Sequence, residues 1–243
     1  MLEKQNLLGL TQEQFKKFFS DLDEKPFRTK QIMQWIYHQG ASNFDDMHNF
    51  SKDLRQKLRA IASLELPEVV SINNSKDGVI KWVIKLGEEN HIETVYIPQK
   101  DRGTLCISSQ VGCALACTFC STGYQGFNRN LKSYEIIAQV LIAQNHLRES
   151  NKRISNVVFM GMGEPLLNES PVYDACELLL DDWAFGLSRR RVTVSSSGIV
   201  PALLRMSDKV PVSLAISLHA SNDELRDILV PINQKYPIKE LMK

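Results

Sequence analysis

From about residue 103 onward the chain alternates four times between a short β-branched run and a helical segment, and this alternation restricts the fold more than any other feature. Strands are predicted at 104–108, 156–160, 191–195 and 212–217. Helices are predicted at 133–147, 172–183 and 200–206, with a fourth opening where Ser221 and Glu224 read as a capping box ahead of Leu225, Ile228 and Leu229. β-α units in series imply a parallel sheet with right-handed crossovers. Such sheets bind ligands beyond the carboxyl ends of their strands, so the segments leaving those ends are the ones to read for chemistry.

Two regions precede this core, which spans 99–243. Residues 1–65 read as a small helical domain. Thr11 with Gln14 is a capping-box pattern, and Phe15, Phe18, Phe19 and Leu22 follow at helical spacing. A second helix carries Ile32, Met33, Ile36 and Tyr37, with Gly40 placed to end it. A third starts at Ser51 with Leu54, Leu58 and Ile61 on its buried face. Its other face carries Lys52, Arg55 and Arg59, a solvated basic stripe or a phosphate contact. Residues 66–98 form a β-meander: the runs 69–72, 79–85 and 91–97 are separated by Asn-Ser-Lys-Asp-Gly and Gly-Glu-Glu-Asn turns. Alternation puts Glu93 on the face of Val95 and Ile97, where a carboxylate is costly unless paired or protonated; an edge-strand Glu facing solvent is the reading the residues alone favour.

Composition narrows the class. With 43% hydrophobic and 23% charged residues the chain is an ordinary globular protein. No apolar run reaches the ~18 residues of a membrane span. The opening Met-Leu-Glu-Lys-Gln-Asn has neither the basic region nor the apolar core of a signal peptide, so a cytoplasmic location without membrane attachment is expected. A net charge of +1 gives no bulk attraction for nucleic acid, which leaves RNA contact to local patches.

Four of the five cysteines fall between residues 106 and 120, a crowding that favours metal binding or catalysis over structural disulfides. Cys176 stands apart on a helix and reads as a partly buried residue without chemistry. Cys113-Ala-Leu-Ala-Cys117-Thr-Phe-Cys120 offers three thiolates, enough for three irons of a cubane with the fourth iron open. Adding Cys106 gives four thiolates, which zinc would accept, so both readings stand. The cysteine loop follows the first strand of the series, and the second ends in Gly161-Met162-Gly163-Glu164-Pro165. Its glycines allow close backbone approach, and its carboxylate can pair with an ammonium group. The third glycine of a dinucleotide fingerprint is missing. An open iron beside an ammonium-binding loop suits S-adenosylmethionine.

These motifs together resemble the radical S-adenosylmethionine enzymes, and more closely the RlmN-type adenosine carbon-2 RNA methyltransferases. The resemblance is carried by Cys106-Ile-Ser-Ser-Gln-Val-Gly-Cys113, by Phe119 before the last cysteine, by residues 120–130 and 161–168, by Arg190-Arg-Val-Thr-Val-Ser195 and by Ser217-Leu218-His219. It runs from roughly residue 8 to the last residue, including Phe27-Arg28 and Trp35. It implies a 4Fe–4S cluster on Cys113, Cys117 and Cys120. S-adenosylmethionine would be held by Gly163 and Glu164 at its amino-acid end, and by Ser195, Ser217, Leu218 and His219 elsewhere. Glu93 would be the proton acceptor, and Cys106 the cysteine that resolves a covalent enzyme–RNA intermediate through a disulfide. The implied substrates are 23S rRNA and tRNA. An electron donor such as flavodoxin and a monomeric state are implied as well.

The sequence departs from that pattern in two respects. The family's methyl-carrying C-terminal cysteine has no counterpart here, and about four of the six β-α units of the partial barrel are present. The expectation is a piece of a longer enzyme that starts the radical chemistry without completing methyl transfer. The alternative is a non-catalytic RNA-binding fragment that carries the cluster.

Overall fold

The structure, a computed structural model, describes residues 4–243; Met1, Leu2 and Glu3, on which the signal-peptide reading partly rests, lie outside the described residues. The Thr11 capping box forms as its spacing predicts. The Thr11 hydroxyl accepts from the Gln14 N–H at 3.4 Å, and the Gln14 side chain accepts from the Thr11 N–H at 3.0 Å. It opens α1 (Gln12–Ser20), which buries Phe15 and Phe19. Helix α2 (Arg28–Met33) runs into a π-helical turn at Gln34–His38, and Gly40 then takes a φ of 69° to leave the helix. Ser51 caps α3 (Lys52–Ile61), which buries Leu54 and Leu58.

Two expectations for α3 are corrected. Ile61 is 41% exposed, because the chain leaves the helix there to pair Ala62–Ser63 with Gln5–Asn6. The basic stripe is also partly spent within the fold. Arg59 Nη1 lies 2.6 Å from the Asp45 carboxylate, and Arg55 Nη1 donates to the Asp45 carbonyl at 2.7 Å. These two arginines fasten α3 to the Phe44–Asp46 turn.

Seven strands form one mixed sheet in chain order: β1 (Val69–Asn74), β2 (Ile80–Leu86), β3 (Asn90–Gln99), β4 (Arg102–Cys106), β5 (Asn156–Phe159), β6 (Val192–Ser196) and β7 (Ser213–Ile216). The first four pair antiparallel and the last four parallel. The meander is therefore continuous with the core sheet, through the β3–β4 pairing. The parallel strands are followed in turn by α4 (Ser133–Arg148), α5 (Glu169–Leu180), α6 (Val200–Lys209) and α7 (Asp223–Leu229), the predicted series of β-α units. Asn222 caps α7 in place of Ser221, its Oδ1 accepting from the Leu225 N–H at 2.9 Å. The sheet does not close, and β1 and β7 remain as its edges. Among the described residues no helix is long and apolar enough to cross a membrane.

The sheet has two unlike faces. Trp82, Ile92, Tyr96, Leu105, Val157, Phe159, Val192 and Val194 are buried on one. Gln139 of α4 ties that face together: its Oε1 accepts from Thr94 Oγ1 at 2.7 Å and from the Ser108 N–H at 2.8 Å, and its Nε2 donates to the Ser108 carbonyl at 2.9 Å. The other face carries Glu93, Val95, Cys106, Val158, Thr193 and Ser195 and is left uncovered by the core. Glu93 does share a face with Val95 and Ile97, but it is the open face. The carboxylate is half exposed and paired with Lys81 Nζ at 2.8 Å, in keeping with a glutamate that faces solvent.

Phe159 is 1% exposed where β5 meets the helices, so Phe159→Ala should lower unfolding free energy by about 3–5 kcal/mol. Urea denaturation of wild type and variant measures it.

Candidate active site

The cysteine loop starts from a two-stranded ribbon. Gln110–Gly112 pairs antiparallel with Phe127–Asn130, and the Cys113 N–H donates to the Gly126 carbonyl at 2.9 Å. Gly112 holds a φ of 74°, and a β-carbon there would be driven into the Gly126 carbonyl oxygen, so the ribbon closes only with glycine. Within the loop Ala116 adopts a φ of 49°, a left-handed conformation rare for a residue with a β-carbon. The Cys120 N–H then donates to the Cys117 carbonyl at 3.0 Å, and Tyr124 Oη donates to the Thr118 carbonyl at 2.8 Å. The Thr118 N–H reaches out of the loop to the Leu229 carbonyl of α7 at 3.2 Å.

The three thiols act on one another. Burial raises the pKa of Cys113 and of Cys117. The neighbouring Cys120 raises both further, Cys113 adds to the effect on Cys117, and Glu164 adds to both. A group that brings positive charge to all three sulfurs relieves this mutual opposition. Among the described residues no three His, Cys, Asp or Glu side chains converge on the spacing of a single metal ion. Cys106 lies within β4, opposite Val95 and Val158, so the four-thiolate zinc arrangement is not built. The remaining donor set, three sulfurs on one loop, fits a cubane with one open iron.

Glu164 follows β5 and is 3% exposed. Its Oε2 accepts from the Ser197 N–H at 2.8 Å, its Oε1 from the Leu166 N–H at 3.2 Å, and its own N–H donates to Gln110 Oε1 at 2.9 Å. Burial raises its pKa, against these hydrogen bonds, which lower it. Among the described residues it has no ion-pair partner. A buried carboxylate with N–H donors and no cation is short of one positive charge, and an ammonium group supplies it. Gly163, at φ 96°, lies so close to Gln110 that a β-carbon would collide with it.

The remaining predicted residues gather at the same rim. Ser195 lies on the open face of β6, in register with Ala215 of β7. The Ser217 N–H donates to the Ser196 carbonyl at 2.9 Å, and Leu218 is 41% exposed. His219, at φ 58°, places its ring 4.3 Å from that of Phe119 and so joins the end of β7 to the cysteine loop. Glu93 lines a cavity of about 630 Å³ whose other walls include Gly112, Ser121 and Met162. Cys106 sits on the same face of the sheet as Glu93, its thiol pushed up to about 11 by burial. Cys176, within α5, is 0% exposed with its thiol raised by burial, as its lone helical position suggests.

Three supporting residues escape a reading by residue type. Gln110 joins the ribbon to the Glu164 loop. Asn168 donates through Nδ2 to the Ser109 and Leu131 carbonyls, both at 2.8 Å. Both fall inside motifs that stand out in the sequence, and that is the signal that could have found them. Arg226, buried in α7, has no such signal.

Comparison with known proteins agrees with this geometry. Residues 5–64 match the family described as ribosomal RNA large subunit methyltransferase N-terminal domain, and residues 107–243 match the radical SAM superfamily. The chain is 67% identical over 242 residues to the dual-specificity RNA methyltransferase RlmN of Vesicomyosocius okutanii subsp. Calyptogena okutanii (strain HA), covering 100% of this chain and 68% of the relative. It is 65% identical, with the same coverage, to the protein of that name from Ruthia magnifica subsp. Calyptogena magnifica. A crystal structure of a radical SAM methyltransferase from Sphaerobacter thermophilus superposes with a TM-score of 0.91 at 39% identity, covering 98% of this chain and 70% of that one.

Gly112→Ala should open the ribbon beneath the cysteine loop. The expected result is a destabilisation of at least about 1 kcal/mol and less iron held per chain after anaerobic reconstitution, read by urea denaturation and iron analysis.

Proposed function

The chain belongs to the RlmN family of radical S-adenosylmethionine RNA methyltransferases, whose cofactors are a 4Fe–4S cluster and S-adenosylmethionine, and from that premise we propose how residues 1–243 serve the reaction. Cys113, Cys117 and Cys120 hold the cluster. Glu164 pairs with the ammonium group of S-adenosylmethionine, Gly163 lets the backbone come close, and Ser195, Ser217, Leu218 and His219 contact the rest. The observation that carries this assignment is the buried Glu164 carboxylate without a cation, next to the three-thiol loop. When bound, the two groups supply one-electron radical chemistry, which the side chains confine to the open face of the sheet.

The substrate we assign is carbon-2 of an adenosine in 23S rRNA and in tRNA, following the dual specificity in the relatives' names. RNA enters by the cavity that Glu93 shares with Gly112 and Ser121, the residues on either side of the cysteine loop. Glu93 accepts the proton there, its half-exposed carboxylate lying 2.8 Å from Lys81 Nζ on the open face of the sheet, within reach of solvent. Cys106 shares that open face and resolves the covalent RNA intermediate. Its raised pKa keeps it a thiol at neutral pH, so it reacts only where a base takes its proton. Residues 1–65 form an accessory RNA-binding domain. The electron comes from a donor protein such as flavodoxin, and the enzyme works as a monomer in the cytoplasm.

Methyl carriage falls to a thiol outside the five cysteines of this sequence, because Cys176 is sealed inside α5. Anaerobic reconstitution of residues 1–243 should give broad absorbance near ~400 nm and reductive cleavage of S-adenosylmethionine. Mass spectrometry of RNA nucleosides should then show no 2-methyladenosine; its formation would overturn the assignment of methyl carriage. Glu164→Gln should retain iron and bind S-adenosylmethionine about 10–100-fold more weakly, the cost of one charged hydrogen bond. Equilibrium binding to the reconstituted protein reads it, and unchanged affinity sinks the Glu164 assignment.

A further inference from the structure

Helix α7 is folded against its own pattern. Leu225 and Ile228 are 46% and 60% exposed, whereas Arg226, flanked by charged and apolar neighbours, is 0% exposed. Burying a guanidinium is costly unless its N–H groups are engaged. Arg226 Nε donates to the Leu218 carbonyl at 3.0 Å. Its Nη1 donates to Asn233 Oδ1 at 2.6 Å, and its Nη2 to the Ser197 carbonyl at 2.7 Å and the Ser217 carbonyl at 3.3 Å. Among the described residues no carboxylate pairs with it directly. Asp223 and Asp227 act through Asn233, whose Nδ2 donates to them at 2.9 and 2.6 Å. The charge is held in place by dipoles, with Asp223 and Asp227 acting on it from beyond Asn233.

Its three backbone acceptors border the proposed cofactor site. Ser197 is the residue whose N–H holds Glu164 Oε2. Ser217 and Leu218 lead into His219, whose ring lies against Phe119. One turn further along α7, the Leu229 carbonyl takes the Thr118 N–H of the cysteine loop. The short helix that carries Arg226 is thereby fastened to the residue after Cys117.

We propose that Arg226 is a positioning residue of the cofactor site and its fixed positive charge: it holds the ends of β6 and β7 in register for S-adenosylmethionine and favours the reduced state of the group bound at Cys117. The inference rests on the cluster and cofactor assignment made above. Three donor nitrogens reach four acceptors on three segments, a span that the fork of an arginine makes and a single ammonium does not. A positive charge in a low-dielectric site stabilises whatever becomes more negative, here a thiolate-bound cluster that gains one electron from an external donor.

The test uses the full-length enzyme, reconstituted anaerobically, with Arg226→Lys and Arg226→Met. Iron per chain is the folding control, equilibrium binding gives S-adenosylmethionine affinity, and a dithionite titration followed by electron paramagnetic resonance gives the midpoint potential. Arg226→Lys keeps the charge and loses the fork, so its potential should stay near wild type while affinity falls about tenfold or more, the equivalent of one lost hydrogen bond to a charged group. Arg226→Met should lose affinity equally and also shift the reduction equilibrium about tenfold against reduction, ~59 mV more negative for one electron. Wild-type affinity in Arg226→Lys overturns the positioning role, and it decides that role alone if Arg226→Met holds no iron. An unchanged potential in an iron-loaded Arg226→Met, or a potential in Arg226→Lys as low as the Met variant predicts, overturns the charge role. Failure of the wild-type enzyme to hold iron or bind S-adenosylmethionine would instead strike the underlying assignment.

Discussion

The parallel pairing of β4, β5, β6 and β7 brings four strand ends to one rim of the sheet, and the candidate site is assembled from what leaves those ends. The cysteine loop follows β4, Gly163 and Glu164 follow β5, Ser197 follows β6, and Ser217 to His219 follow β7. Residues about a hundred positions apart thus become neighbours at one rim. The register depends in turn on α4, whose buried Gln139 satisfies Ser108 at the exit of β4 and Thr94 on β3. A hydrogen-bonded polar group inside an apolar layer permits few alternatives, because a slip by one residue leaves its partners unpaired.

The site is fastened at the centre by an opposed pair of buried charges that do not touch. The N–H of Ser197 donates to Glu164, and the carbonyl of the same residue accepts from Arg226. A carboxylate and a guanidinium are thus joined through backbone dipoles that point from one toward the other. Such an arrangement lowers the cost of burying each charge without neutralising either at the surface that faces a ligand. Direct pairing of the two would have made a stable core and an inert one. Separation by a residue leaves the anion available for an ammonium group and the cation available to a thiolate-bound cluster.

What the sequence discloses and what it conceals divide along physical lines. Helix caps such as Thr11 with Gln14, strand runs and the β-α series follow from local chemistry, and all of them appear in the structure close to their predicted places. The cysteine loop and the Gly163–Glu164 turn were legible because close backbone approach and thiolate ligation demand particular residue types at fixed spacing. Tertiary context decided the rest. Alternation fixes which residues share a face with Glu93, but only the packing of α4 determines that this face is the open one. The stripe of Lys52, Arg55 and Arg59 is periodic whether or not Asp45 lies opposite it. Ser221 and Asn222 are both good caps, and the path of the loop after β7 selects the second.

Arg226 shows why a helical pattern fails where function intrudes. By hydrophobic periodicity Leu225 and Ile228 belong inside α7, and the arginine between Asp223 and Asp227 belongs in water with its acidic neighbours. The fold reverses this because the carbonyls of Ser197 and Ser217 leave their strand ends with no further strand to donate to them, while the Leu218 carbonyl takes the Ala220 N–H and Arg226 Nε together. Buried carbonyl groups at the rim need donors, and one guanidinium supplies several at once. Exposing two apolar side chains forgoes a few kilocalories per mole of burial at ~25 cal/mol per Å², a loss that unsatisfied carbonyls at the same rim would match. A helix whose polar residue faces in and whose apolar residues face out is therefore consistent with the backbone it closes, and the departure from pattern marks where the strand ends are being held for something other than the core.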